Sequence, residues 1–196
     1  MAINGKSKGD VAEREVAALL KAWWGAVEPD VEFVRTPGSG GWQGANARGR
    51  QLRSEFRLSG DLATTSRQFP FSVESKRREE WTIARLVDGK PSPVWDWWCQ
   101  CQRAAVESGE QLVPMLWMRR NRERWWVMLP AGFAMLIPGL APEVTWTARQ
   151  LLGVDAGALL PALFKASALL SVPAETALAA YGQWEPGATT TRVVVG

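Results

Sequence analysis

The sequence predicts a mixed α/β domain with a helical C-terminal extension, and three features of the 196-residue chain support that class. An amphipathic run opens the chain. Five short strand-like runs follow, with a helical stretch between the third and the fourth. Beyond residue 142 the composition turns to Ala and Leu. With 46% apolar and 22% charged residues, the chain can bury a core and is too apolar for disorder.

In residues 8–24, Ala12, Val16, Leu19, Leu20 and Trp23 recur at helical spacing, and Gly25 ends the helix. Residues 31–35 read as a strand running into a Gly- and Pro-rich turn over 37–41. Residues 42–59 lack periodicity and carry Arg48, Arg50, Arg53 and Arg57 against the single acid Glu55, which predicts an inserted basic loop. Residues 60–64 and 71–76 read as two strands joined by a short polar turn, a hairpin. Helices are expected over 81–86 and 94–108, then strands over 112–118 and 125–129 with an arginine-rich turn between them. Residues 143–182 read as helices with Pro161 and Pro173 as starts or breaks, and residues 187–196 as a tail. The expected division is a domain over 1–130 with the insertion 42–59, followed by a helical extension over 131–196.

Composition excludes several chemistries. The chain has no His and only two Cys, Cys99 and Cys101, so a disulfide framework, a four-ligand structural zinc site and a Ser-His-Asp hydrolase are all ruled out. Any catalytic metal must be held by carboxylates and should be a hard cation, Mg²⁺ or Mn²⁺. The net charge of +3 decides nothing alone, but residues 1–130 hold twenty of the 23 basic and sixteen of the 20 acidic side chains. The first residues lack the apolar core of a signal peptide, which points to the cytoplasm. Residues 125–142 are apolar, yet Pro130, Pro138, Pro142, Gly132 and Gly139 interrupt them, so no membrane span is expected.

The chemistry concentrates in the third strand-like run. Alternation puts Glu74 and Lys76 on one face and Val73 and Ser75 on the other. If Asp61 lies on the neighbouring strand, a second carboxylate approaches Glu74, and two acids that close repel unless a cation lies between them. Metal-assisted phosphodiester hydrolysis needs these parts: acids to hold a divalent cation and a positive group for the developing charge, a role that suits Lys76. A bare Glu-x-Lys is also what the charged face of an edge strand presents, so the context matters.

That context comes from four pieces in order: Lys8-Gly9-Asp10-Val11-Ala12-Glu13-Arg14-Glu15, Arg35-Thr36-Pro37-Gly38-Ser39-Gly40, Gly60-Asp61-Leu62 and Val73-Glu74-Ser75-Lys76. With them, residues 6–130 resemble the PD-(D/E)XK nuclease superfamily, and within it the archaeal-type and phage Holliday junction resolvases. The resemblance implies a restriction-endonuclease-like core, a mixed central sheet flanked by helices. It makes Asp61 and Glu74 metal ligands and gives Lys76 the attacking water to orient. Glu13, chosen over Glu15 by its spacing from Gly9, would complete the metal shell directly or through water. Ser39 would lie near the scissile phosphate, although it is equally an ordinary turn serine, and the long insertion before Gly60 departs from the family's pattern. Gln100, or Gln102 in its place, matches a polar residue that many such enzymes carry on the helix after the lysine strand.

DNA contacts are expected from Lys6, Lys8, Arg35, Arg48, Arg50, Arg53, Arg57, Arg77 and Arg78, with Gln100 at the site. Twelve Trp is a high content for this length, and Trp95, Trp97 and Trp98 crowd one helix, where packing is the stronger expectation and base stacking the weaker. The expected activity is Mg²⁺-dependent endonucleolytic cleavage of branched or double-stranded DNA, four-way junctions first, by a homodimer able to make two symmetric cuts. Other nucleases of the superfamily acting on duplex or flap DNA, and a catalytically silent DNA-binding protein of the same fold, are the alternatives.

Overall fold

The structure, a computed structural model, describes residues 5–36, 55–145 and 160–185. Helix α1 (Gly5–Trp24) follows from the 3.6-residue spacing of its apolar positions: Ala12, Val16, Leu20, Trp23 and Trp24 are buried while Lys21 is exposed. Two indoles fix its C-terminal end. Trp23 Nε1 donates to the Val172 carbonyl at 2.7 Å, and Trp24 Nε1 donates to the Ser66 hydroxyl at 3.2 Å.

Strands β1 (Phe33–Arg35), β2 (Arg57–Ser59) and β3 (Leu62–Thr64) form a three-stranded antiparallel sheet in the order β1-β3-β2. Strands β4 (Phe71–Arg77), β5 (Val113–Arg119), β6 (Trp126–Pro130), β7 (Val144–Thr145) and β8 (Pro161–Lys165) form a five-stranded sheet in the order β4-β5-β6-β8-β7. Among the described strands of this sheet, only β4 and β5 pair in parallel, with Phe71 opposite Val113 and Lys76 opposite Met118. Parallel neighbours need a crossover, and helices α2 (Ile83–Val87) and α3 (Val94–Glu107) supply it. Thr82 starts α2 by accepting the Arg85 backbone N–H at 3.2 Å.

The side-chain period of two splits β5 between two cores. Met115 and Trp117 enter one with α1, α4 (Ala131–Ala134), α5 (Ala166–Leu170) and α6 (Ala174–Tyr181). Leu116 and Met118 enter the other with Trp81, Leu86, Val94, Trp98 and Cys101. Helices therefore cover both faces of the larger sheet, and the mixed α/β class holds. Trp98 is fully buried, and Trp95 and Trp97 pack against the same core, so these tryptophans serve packing. Burying one such indole contributes at most about 4–6 kcal/mol.

The structure corrects three local expectations. Residues 60–64 and 71–76 do not form a hairpin, because β1 and β2 already occupy both edges of β3 and leave β4 to pair with β5. The end of the predicted basic loop, Arg57–Ser59, is strand β2. Within the stretch read as helical, 143–182, Val144–Thr145 is strand β7 and Pro161–Lys165 is strand β8, which is inserted between β6 and β7. Its first four residues are buried, so it shows none of the alternation that marks a half-exposed strand, and Pro161 stands at the first position, where a strand tolerates proline. Residues 161–165 thus share a sheet with 113–130. The expected tail lies outside the described residues.

Candidate active site

Asp61 reaches Glu74 through a backbone junction between the two sheets. Gly60 bridges Val73 in parallel fashion, and the Asp61 N–H donates to the Val73 carbonyl at 2.7 Å. Gly60 has φ +79°, and a Cβ there would meet the Val73 carbonyl oxygen at 2.4 Å. Only glycine combines that conformation with so close an approach. Asp61 Oδ2 then accepts the backbone N–H of Ser75 at 3.0 Å, which orients the carboxylate beside Glu74.

On β4, Val73 faces the core that contains α1, whereas Glu74 turns to the opposite face and α3. Lys76 Nζ donates to Glu74 Oε2 at 3.1 Å, and Gln100 Nε2, from α3, donates to the same oxygen at 3.3 Å. Glu74 is 5% exposed. Burial, then the negative charge of Asp61, push its carboxyl from an ordinary 4.5 up to about 7, against the opposing pull of Lys76. The two acids are thus neighbours across the junction of the two sheets, and each makes the charge on the other costlier.

A divalent cation between the two acids would relieve that repulsion, and the pair fits one. A hard cation of the Mg²⁺ type takes one or two carboxylates and fills its remaining positions with water and substrate phosphate oxygens. Among the described residues, no group of three or more His, Cys, Asp or Glu converges, so the donor set in this arrangement is Asp61 and Glu74. Glu13 is buried on α1 and accepts from Arg35 Nε, while Arg35 Nη2 pairs with Asp10 Oδ1 at 2.7 Å. Arg35 lies opposite Leu62, one residue along from Asp61. Glu13, expected in the metal shell, and Arg35, expected on DNA, are thus ion-paired to each other. Glu15 pairs with Arg119 on β5.

A sequence profile described as "Phage putative PDDEXK endonuclease" matches residues 4–148. The chain belongs to this endonuclease family. No curated protein and no solved structure matches it.

The remaining predicted residues of this family member divide by position. Of the two glutamines considered, Gln100 reaches Glu74. Arg57 is not presented as a loop arginine: it pairs with Glu110 at 2.7 Å and donates to the Phe69 carbonyl, five residues before Glu74, with its side chain 9% exposed. Arg77 Nε donates to Asn121 Oδ1 at 3.0 Å, and Arg78 is exposed. Ser39, Arg48, Arg50 and Arg53, and the side chains of Lys6 and Lys8, lie outside the described residues. Sequence reasoning missed the Ser75 N–H that orients Asp61, because a backbone donor carries no residue-type signal. Gly60, directly before Asp61, was the available hint of a close approach. Buried Cys101, whose thiol burial pushes well above its usual range, packs beside this face as a protonated, inert group. Among the described residues, no helix is long and apolar enough to cross a membrane.

Proposed function

We propose that this protein is a divalent-metal-dependent, structure-selective DNA endonuclease that cuts four-way junctions as a homodimer, in the host cytoplasm and in the service of DNA recombination or repair. The observation that carries the nuclease reading is the convergence of Asp61, Glu74 and Lys76: Asp61 is tied to the Ser75 N–H beside Glu74 at 3.0 Å, and the Lys76 ammonium lies 3.1 Å from the Glu74 carboxyl. Asp61 and Glu74 would hold Mg²⁺ or Mn²⁺, which supplies a polarised phosphate and a more acidic attacking water. Lys76 is the cation beside the reacting phosphate, able to orient the water and offset the charge that develops on the phosphate oxygens. Gln100 keeps the Glu74 carboxylate turned toward the site. The junction as substrate rests on the order of the four sequence motifs, and the dimer on the need for two symmetric cuts.

The test is cleavage of a four-way junction beside a matched duplex, with Mg²⁺ and with EDTA. Metal-dependent cutting of the junction alone is expected. Equal cutting of both substrates would replace the junction by general duplex DNA, and binding without cutting would make the chain a silent DNA-binding member of the fold.

A further inference from the structure

Charge gathers at the end of the larger sheet where β4 and β5 stop. Residues 77–80 and 119–124 together hold six arginines and three glutamates. The two segments are locked to each other: Arg77 lies opposite Arg119, the Arg78 N–H donates to the Arg119 carbonyl at 3.1 Å, and Asn121 joins both. Its Oδ1 accepts from Arg77 Nε at 3.0 Å while its N–H donates to Glu79 Oε1 at 2.9 Å. The β5–β6 turn is therefore braced against the segment that directly follows Lys76.

The glutamates do not neutralise this cluster evenly. Arg119 pairs with Glu15 and lies 4.6 Å over the Trp125 ring, and Arg120 pairs with Glu123 at 3.1 Å and approaches Glu79 at 3.9 Å. Arg78, Arg122 and Arg124 are exposed and have no ion pair among the described residues. Arg122 also sits at φ +63°, a conformation that costs a non-glycine residue about 1–2 kcal/mol. The bracing fixes the backbone that carries these exposed arginines, so a polyanion can meet them without first ordering the turn. The tip lies two to three residues beyond the level of Lys76, about 7–10 Å along the strand direction. At 3.4 Å of duplex rise per nucleotide, that is about two or three nucleotides.

We propose that the β5–β6 turn is a second grip on the DNA backbone, in which Arg122 and Arg124, joined by Arg78, hold phosphates adjacent to the one being cut. The inference rests on the nuclease reading for its partner and deepens it by naming where the duplex arm runs. These contacts are to phosphates, so they position the backbone and read no sequence.

The experiment compares Arg122→Gly/Arg124→Ala with Lys21→Ala/Arg67→Ala. The first pair removes both turn charges, with glycine suited to the positive φ. The second removes two exposed charges near the C-terminal end of α1, where Trp24 meets Ser66, away from Lys76. DNA affinity is measured across a salt series for a junction and a duplex, together with Mg²⁺-dependent cleavage. The turn variant should bind every sequence more weakly and flatten the log–log salt slope by up to about 1.8, from about 0.9 per lost contact. Arg122→Lys/Arg124→Lys should keep most of the slope, and so should the distant pair. A turn variant with the wild-type slope and affinity overturns the proposal while leaving the nuclease reading intact. Wild-type protein that binds DNA without cutting it overturns the nuclease reading, and the slopes then still judge the turn. Wild-type protein that binds no DNA overturns both.

Discussion

The Asp61 carboxylate accepts the backbone N–H of Ser75 at 3.0 Å, so a side chain from the residue just before β3 of the small sheet occupies a hydrogen-bonding position on the edge strand of the large one. β4 lies at the edge of its sheet, and beyond the bridge at Gly60 its N–H groups need other partners. One contact thus satisfies the strand edge and aims the carboxylate at Glu74.

Because the Gly60 junction delivers Asp61, Gly60→Ala should disable the site from a position that touches no substrate. Its Cβ would press on the Val73 carbonyl oxygen at 2.4 Å, and a positive φ costs a further 1–2 kcal/mol, roughly. Denaturant unfolding should show the lower stability, and cleavage assays should show loss of cutting even below the melting temperature.

Asp61→Asn, Glu74→Gln and Lys76→Ala should each abolish cleavage and leave DNA binding largely in place, since arginine–phosphate contacts supply most of the affinity. Binding and single-turnover cleavage measured on the same preparations check this, and wild-type rates in any one variant would remove its residue from the assigned role.

The raised carboxyl of Glu74 predicts a pH dependence of stability. Between 4.5 and about 7 the folded protein keeps a proton that the unfolded chain releases, so stability should fall as pH rises through that window and level off above it. The slope is at most about 1.4 kcal/mol per pH unit. Urea midpoints between about pH 5 and pH 8 should show it, and Glu74→Gln should flatten it. Mg²⁺ affinity should move the other way, increasing as the proton leaves near pH 7.

Gln100→Ala should weaken metal binding or activity by about 10- to 100-fold, the usual consequence of losing a group that orients a ligand. The 3.3 Å bond from Gln100 to Glu74 is the basis for this. Mg²⁺ titration of the variant tests it, with Gln102→Ala as the comparison.

Arg57→Ala should act on stability instead of on DNA. Its loss leaves the buried carbonyl side of Phe69 without its guanidinium donor, at a cost of about 1–3 kcal/mol. A lower melting temperature with an unchanged salt slope of DNA binding is the expected pair of results.

Local periodicity carried much of the fold in the sequence. The spacing of Ala12, Val16 and Leu20 marks α1, and alternation along residues 73–76 separates Val73 from Glu74 and Lys76, because both patterns depend on backbone geometry within a few residues. The motif residues Asp61, Glu74 and Lys76 were readable as types in an order, and Gln100 as one of two choices. The pairing of elements was not readable in the same way.

By itself the sequence determined the α/β class, the family motifs, and the restriction of any metal site to carboxylates, since these follow from residue types and short spacings. Tertiary structure decided the rest. It filled both edges of β3 and so sent β4 to β5, made a strand of Pro161–Lys165, paired Glu13 with Arg35, and held Arg57 against Glu110, 53 positions away. Each of those outcomes depends on which surfaces meet after the chain has folded. A carboxylate or guanidinium takes the partner that burial leaves within reach, and no local spacing encodes that distance.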